Sequence, residues 1–98
     1  MIGVFVTFDL GAAYDAGRLS QLAAAAVPKF RGLPGLISKT FTLDDETGRA
    51  VNFYVWESEE AARRFFSEDT LASVARTYGV RPALRYVAIP CRVENAPV

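Results

Sequence analysis

The middle of the chain constrains the fold most. Leu36 to Leu43 and Arg49 to Glu57 are two runs rich in β-branched and aromatic residues, and only Asp44-Asp-Glu-Thr-Gly48 separates them. A polar connection this short, ending in glycine, joins antiparallel neighbours. The spacing therefore predicts a central β-hairpin. Asp44, Glu46 and Gly48 faintly resemble a calcium loop, but the other positions of an EF-hand are missing, so the hairpin turn is preferred.

Both flanks repeat one pattern. Ile2-Gly-Val-Phe-Val-Thr-Phe8 reads as a first strand. Asp15 is placed to cap a helix whose apolar stripe is Leu19, Leu22, Ala23, Ala26 and Phe30. Pro28 should kink or end that helix in its last turn, and Gly32-Leu-Pro-Gly35 is a loop. After the hairpin, Ser58 caps a second helix with Glu59 and Glu60 at its positive end and Ala61, Ala62, Phe65 and Phe66 on its buried side. Ser67 to Thr70 should interrupt it. Leu71, Val74, Ala75 and Tyr78 then form a further helical piece that Gly79 ends. Leu84 to Val93 reads as a fourth strand, with Cys91 late in it as a small buried residue.

The order is βαββαβ with no linker or repeat. It predicts one domain over residues 1–98, an α+β, ferredoxin-like unit with a four-stranded antiparallel sheet. Topology alone assigns no activity.

Composition excludes more than it selects. Apolar residues make up 51% of the 98, more than a small monomer needs, so an oligomer interface is expected to bury the surplus. Eleven basic and eleven acidic residues cancel, which removes any net drive toward nucleic acid or an anionic membrane. No apolar run approaches the length of a membrane-spanning helix. The apolar start lacks a basic leader, so a secretory signal is not expected. A single cysteine excludes an internal disulfide and fits a reducing cytoplasm.

Histidine is absent. That removes Ser-His and Cys-His nucleophile pairs, His-ligated zinc or iron, and a His-ligated haem. Chemistry is left to carboxylates, Tyr, Lys, Arg, Asn, Trp, the lone Cys or the substrate itself.

Within the third strand, Asn52, Tyr54 and Trp56 share one face and Val51, Phe53 and Val55 the other. An amide, a phenol and an indole side by side suit a planar, oxygenated aromatic ligand. The same trio also suits an ordinary sheet face under a helix, or a dimer contact. Periodicity does not say which face of the sheet holds a pocket. Lys39, between Ile37 and Phe41, either reaches out at an edge or dimer rim, or faces a pocket. Arg76, Arg81 and Arg85 lie near the fourth strand, where one could pair with an anionic substrate, though each also reads as a solvent-facing residue.

Val51-Asn-Phe-Tyr-Val-Trp-Glu-Ser-Glu-Glu-Ala-Ala62 resembles the strand-then-helix signature of the small antibiotic-biosynthesis monooxygenase family, and Leu33-Pro-Gly-Leu-Ile-Ser-Lys39 resembles a segment of related monooxygenases. Taken in order, the similarity covers nearly the whole chain. It implies a homodimeric α/β barrel of ferredoxin-like subunits with their sheets face to face. It also implies oxidation of an ionisable aromatic or polyketide-like molecule by O2, with no metal, flavin or other cofactor. Members of this kind use an Asn and a Trp four residues apart on one strand, a spacing that Asn52 and Trp56 match. By that resemblance Asn52 stabilises the substrate's enolate-like oxygen, and Trp56 stacks on the substrate or donates its N–H to reduced oxygen. The Tyr that follows the Trp in that group has no counterpart here. Tyr54, Tyr78 or Tyr86 could take its place in space, and Tyr54, Phe41 and Tyr86, large side chains on neighbouring strands, are the candidates to line the pocket.

Three other readings share the topology. One is an isomerase, cyclase or non-catalytic binder of the same superfamily, and another is a dimer with a filled core and no pocket. The last is an RNA-recognition module. Arg49, Phe53 and Trp56 fit its third-strand motif, but Ala50 and Val51 stand where a glycine and a stacking aromatic belong.

Overall fold

The computed structural model describes residues 1–96; the last two positions of the expected 1–98 domain lie outside the described residues. Four strands, β1 (Ile2–Asp9), β2 (Leu36–Asp44), β3 (Arg49–Trp56) and β4 (Ala83–Ala88), form one antiparallel sheet in the order β2-β3-β1-β4. Three helices, α1 (Ala16–Phe30), α2 (Glu59–Phe65) and α3 (Glu68–Tyr78), complete the expected βαββαβ order, because α2 and α3 divide the second helical segment.

Local chemistry sets most boundaries. The Asp15, Ser58 and Ser67 side chains accept hydrogen bonds from the backbone N–H groups of Arg18, Ala61 and Thr70, capping the three helices. Each cap contributes about 1 kcal/mol. Gly79 ends α3 in the left-handed region at φ 83°, which costs a residue without a Cβ little. In the hairpin turn the Asp44 carboxylate accepts from the Glu46 and Thr47 amides, so it serves the backbone. Tyr14 donates to Asp45 and the Leu10 amide donates to the Gly48 carbonyl, tying the turn after β1 to the hairpin.

Register decides which face each residue takes. Val4, Val6 and Phe8 of β1 stand opposite Tyr54, Asn52 and Ala50 of β3, and all six are buried under the helices. Leu19, Trp56 and Ala62 join them in the core, with Phe30, Phe65, Phe66, Val74 and Tyr78 packed alongside. Phe8 stacks on Tyr78 with centroids 3.9 Å apart, which docks α3 onto β1. The opposite face of the sheet carries no helix; there Phe5 and Phe53 pack at 4.6 Å. A Cβ at Gly3 would lie 2.8 Å from the Phe53 ring, so glycine is what lets that ring lie flat across β1.

Three expectations need correction. β4 stops at Ala88, because Pro90 has no N–H to extend the ladder. The last backbone bond there runs from the Ile89 amide to the Met1 carbonyl. Cys91 therefore lies beyond the strand and is exposed, not buried. The break between α2 and α3 is also tighter than expected. It falls at Phe66 and Ser67, and Glu68 to Thr70 are already helical because the Ser67 cap lets α3 start at once.

Candidate functional site

A cavity of about 250 Å³ lies between the helices and the sheet. α1 forms one wall with Leu22, Ala25, Ala26, Lys29 and Phe30. The two alanines leave space that larger side chains would fill. α3 forms the facing wall with Ser73, Val74, Thr77 and Tyr78. The sheet supplies the floor through Lys39, Asn52 and Tyr54, and α2 contributes Phe65. The volume of about 250 Å³ lies just below the roughly 300–1,000 Å³ range of ligand pockets, which suits a small ligand. Two flanking hollows of about 250 and 220 Å³ share Phe41, which lines both.

The β3 trio thus faces the helices, and its members take different positions. Asn52 is only 4% exposed, yet it lines the cavity. Among the described residues no side-chain hydrogen bond engages its amide, which leaves donors and an acceptor for a ligand. Tyr54 lines the cavity beside it, and burial pushes its hydroxyl well above the usual tyrosine range, so it stays a neutral donor. Trp56 is 1% exposed and does not line the cavity. It lies one ring behind the wall, parallel to Tyr54 at 6.0 Å and 5.3 Å from Phe65. Its indole N–H is the one buried side-chain polar atom without a partner among the described residues.

Phe41, opposite Asn52 on β2, borders the flanking hollows rather than the cavity itself. Tyr86 is further off: it packs at the edge of the core with the Arg63 guanidinium 4.2 Å from its ring centre. The three arginines considered above are also absent from the lining. Arg81 makes two bonds to Glu68, at 2.8 and 2.9 Å. Arg85 stands opposite Phe5 on the helix-free face, and Arg76 is exposed.

Lys39 settles on the pocket side of its two alternatives. It pairs with Tyr54 across the sheet, and its ammonium nitrogen sits 3.5 Å from the ring centre of Phe30, 4.2 Å from Phe41 and 4.5 Å from Tyr54. Burial, with a smaller contribution from Lys29, pushes its pKa down to about 7. The ring faces act the other way, since each favours the cation. Sequence reasoning missed the α1 wall and, Tyr78 apart, the α3 wall. Ser73 and Thr77, four apart beside Val74 and Tyr78, form a polar edge to the α3 stripe that spacing alone could have flagged.

Comparison with family models gives no match, and no curated protein matches the chain. Solved structures do. A monooxygenase of Streptomyces coelicolor, ActVA-Orf6 in complex with nanaomycin D, superposes with a TM-score of 0.72 at 22% identity, over 97% of this chain and 92% of that one. SnoaB of Streptomyces nogalater, a cofactor-independent oxygenase, gives 0.67 at 14% identity over 96% and 97%. The chain has the fold of the antibiotic-biosynthesis monooxygenases. A protein of unknown function from Nitrosomonas europaea shares it too, at a TM-score of 0.67 and 16% identity over 98% and 95%. Such likenesses fix the architecture and leave the chemistry to the site.

Proposed function

We propose that this protein is a cofactor-independent monooxygenase that oxidises an ionisable aromatic or polyketide-like small molecule with O2, and that it works as a homodimer. The observation that carries the reading is the buried Asn52 amide, without a side-chain partner, opening into an aromatic-walled cavity of a fold shared with ActVA-Orf6 and SnoaB.

In this reading the substrate lies flat among Phe30, Phe65 and Tyr54. Asn52 donates to its oxygen and stabilises the enolate-like anion, an interaction that grows as charge develops. The electron-rich anion passes an electron to O2, and the two radicals combine at carbon. For an anthrone-type substrate one oxygen atom ends as a new carbonyl. The other leaves as water with the two hydrogens of that carbon. Trp56, behind the wall, donates its unpaired N–H to reduced oxygen, which is small enough to reach past the rings; this use fits its orphaned donor better than stacking on the substrate does.

Oxygen uptake on a panel of anthrones and hydroquinones tests the proposal. The wild-type protein should consume O2, and Asn52→Ala should lower turnover about 100-fold or more, the usual cost of losing one oxyanion donor. The position of Trp56 outside the lining favours a second reading, an isomerase, cyclase or plain binder that has no use for oxygen. Turnover that is unchanged under anaerobic conditions, or ligand binding with no oxygen uptake on any of the panel, would select it.

A further inference from the structure

Lys39 has no part in the reaction outlined above, yet it occupies the floor of the cavity. None of the thirteen lining residues carries a carboxylate, and the only other charged one is Lys29. A lysine turned inward, with no acid to neutralise it and aromatic faces on three sides, is placed to meet an anion supplied from outside.

We propose that Lys39 is the proton acceptor of this cavity: its neutral amine takes the hydroxyl proton of a phenol- or enol-bearing aromatic and then holds the resulting oxyanion. This rests on the reading of the cavity as the substrate site and not on any step with oxygen. The substrate O–H bond breaks and its electron pair stays on oxygen. The amine lone pair forms the new N–H bond, and the ammonium so made is received by the faces of Phe30, Phe41 and Tyr54. In a chain without histidine, few other groups could do this near neutral pH.

The surroundings agree. The lowered pKa of about 7 leaves a sizeable neutral fraction at physiological pH. Lys29 from α1 adds repulsion, and Tyr54 from β3 and Tyr78 from α3 are the remaining titratable groups in the lining. From α2 comes only Phe65, which does not titrate. Tyr54 remains protonated because burial raises it, so it competes for no proton.

The probe is 7-hydroxycoumarin, a planar two-ring phenol whose anion absorbs at longer wavelength than its neutral form and which needs no oxygen to report. Wild-type protein at pH 7 should bind it with the anion band. Its affinity should fall roughly tenfold per unit as pH rises beyond both pKa values, because the bound pair holds one proton that neither partner then carries. Lys39→Met should lose the anion band and bind at least tenfold more weakly. Lys39→Arg, permanently charged, should keep the band and lose the fall at high pH. The proposal is overturned if Lys39→Met, folded by circular dichroism, binds the anion like wild type, if wild-type affinity does not fall at high pH, or if wild type does not bind the probe. A protein that passes this test and consumes no oxygen would sink the oxygenase reading alone.

Discussion

A buried lysine leaves a mark on stability that is separable from any activity. Lys39 has a folded pKa of about 7, against 10.5 when unperturbed. Between those values the unfolded chain binds the extra proton, so stability must rise with pH across that window. Below about pH 7 both states are charged and the full penalty of burying the ammonium applies. Chemical denaturation from pH 6.5 to 10 should show this rise. Lys39→Met should flatten it and be the more stable protein at pH 7. A wild-type profile with no rise, or a Met variant that keeps one, would mean the amine is solvated. Trp56 makes the opposite kind of statement. Removing its unpaired N–H relieves about 1–3 kcal/mol, while the smaller ring of Trp56→Phe loses packing of similar size. The melting temperature should therefore move little, and a drop typical of a large core truncation would show that the indole N–H is satisfied after all. Period-two alternation was enough to group Asn52, Tyr54 and Trp56. It could not tell that Phe65 and Tyr54 screen Trp56 from the cavity, nor which way Lys39 turns, because both depend on neighbours distant in sequence.

Elements build the cavity through what they omit. α1 places Ala25 and Ala26 where its stripe would otherwise fill the space over β3. Ala26→Leu should close part of the cavity, weakening 7-hydroxycoumarin binding at least tenfold while leaving thermal stability unchanged or raised. Unaltered binding would place the ligand elsewhere. Caps and turns were the most legible features, since Asp15, Ser58, Gly48 and Gly79 act on backbone within a few residues of themselves. The end of β4 was harder. Ile89 and Val93 continue an apolar pattern, but Pro90 cannot donate to β1, so the ladder stops while the hydrophobicity continues. The loop before β2 shows the same dependence on distant contacts. Gly35, at φ 82°, brings its backbone so close to α2 that an added Cβ would lie 2.8 Å from the Ala61 Cβ. No local signal announces that approach.

At the scale of the molecule, one face of the sheet is covered by three helices and the other by none. Phe5, 37% exposed, and the half-buried Phe53 lie at its centre with Val51 beside them. A second copy packed sheet to sheet would cover this patch, as expected from the apolar surplus of the sequence. Sedimentation should find a dimer, and Phe5→Glu should yield a folded monomer. A wild-type monomer at micromolar concentration would refute the arrangement. No helix is long and apolar enough to cross a membrane among the described residues. The cavity lies on the helical side, away from the bare face, so ligand binding should survive dissociation of the dimer.

The central claim, oxidation within this cavity without a cofactor, is tested most directly by oxygen uptake. Metal-free, flavin-free protein would be assayed with an anthrone, with Asn52→Ala and Lys39→Met run alongside. The account predicts uptake that scales with wild-type protein and falls about 100-fold with Asn52→Ala, with a clear loss for Lys39→Met. Uptake that is absent, or that persists undiminished in both variants, would contradict it.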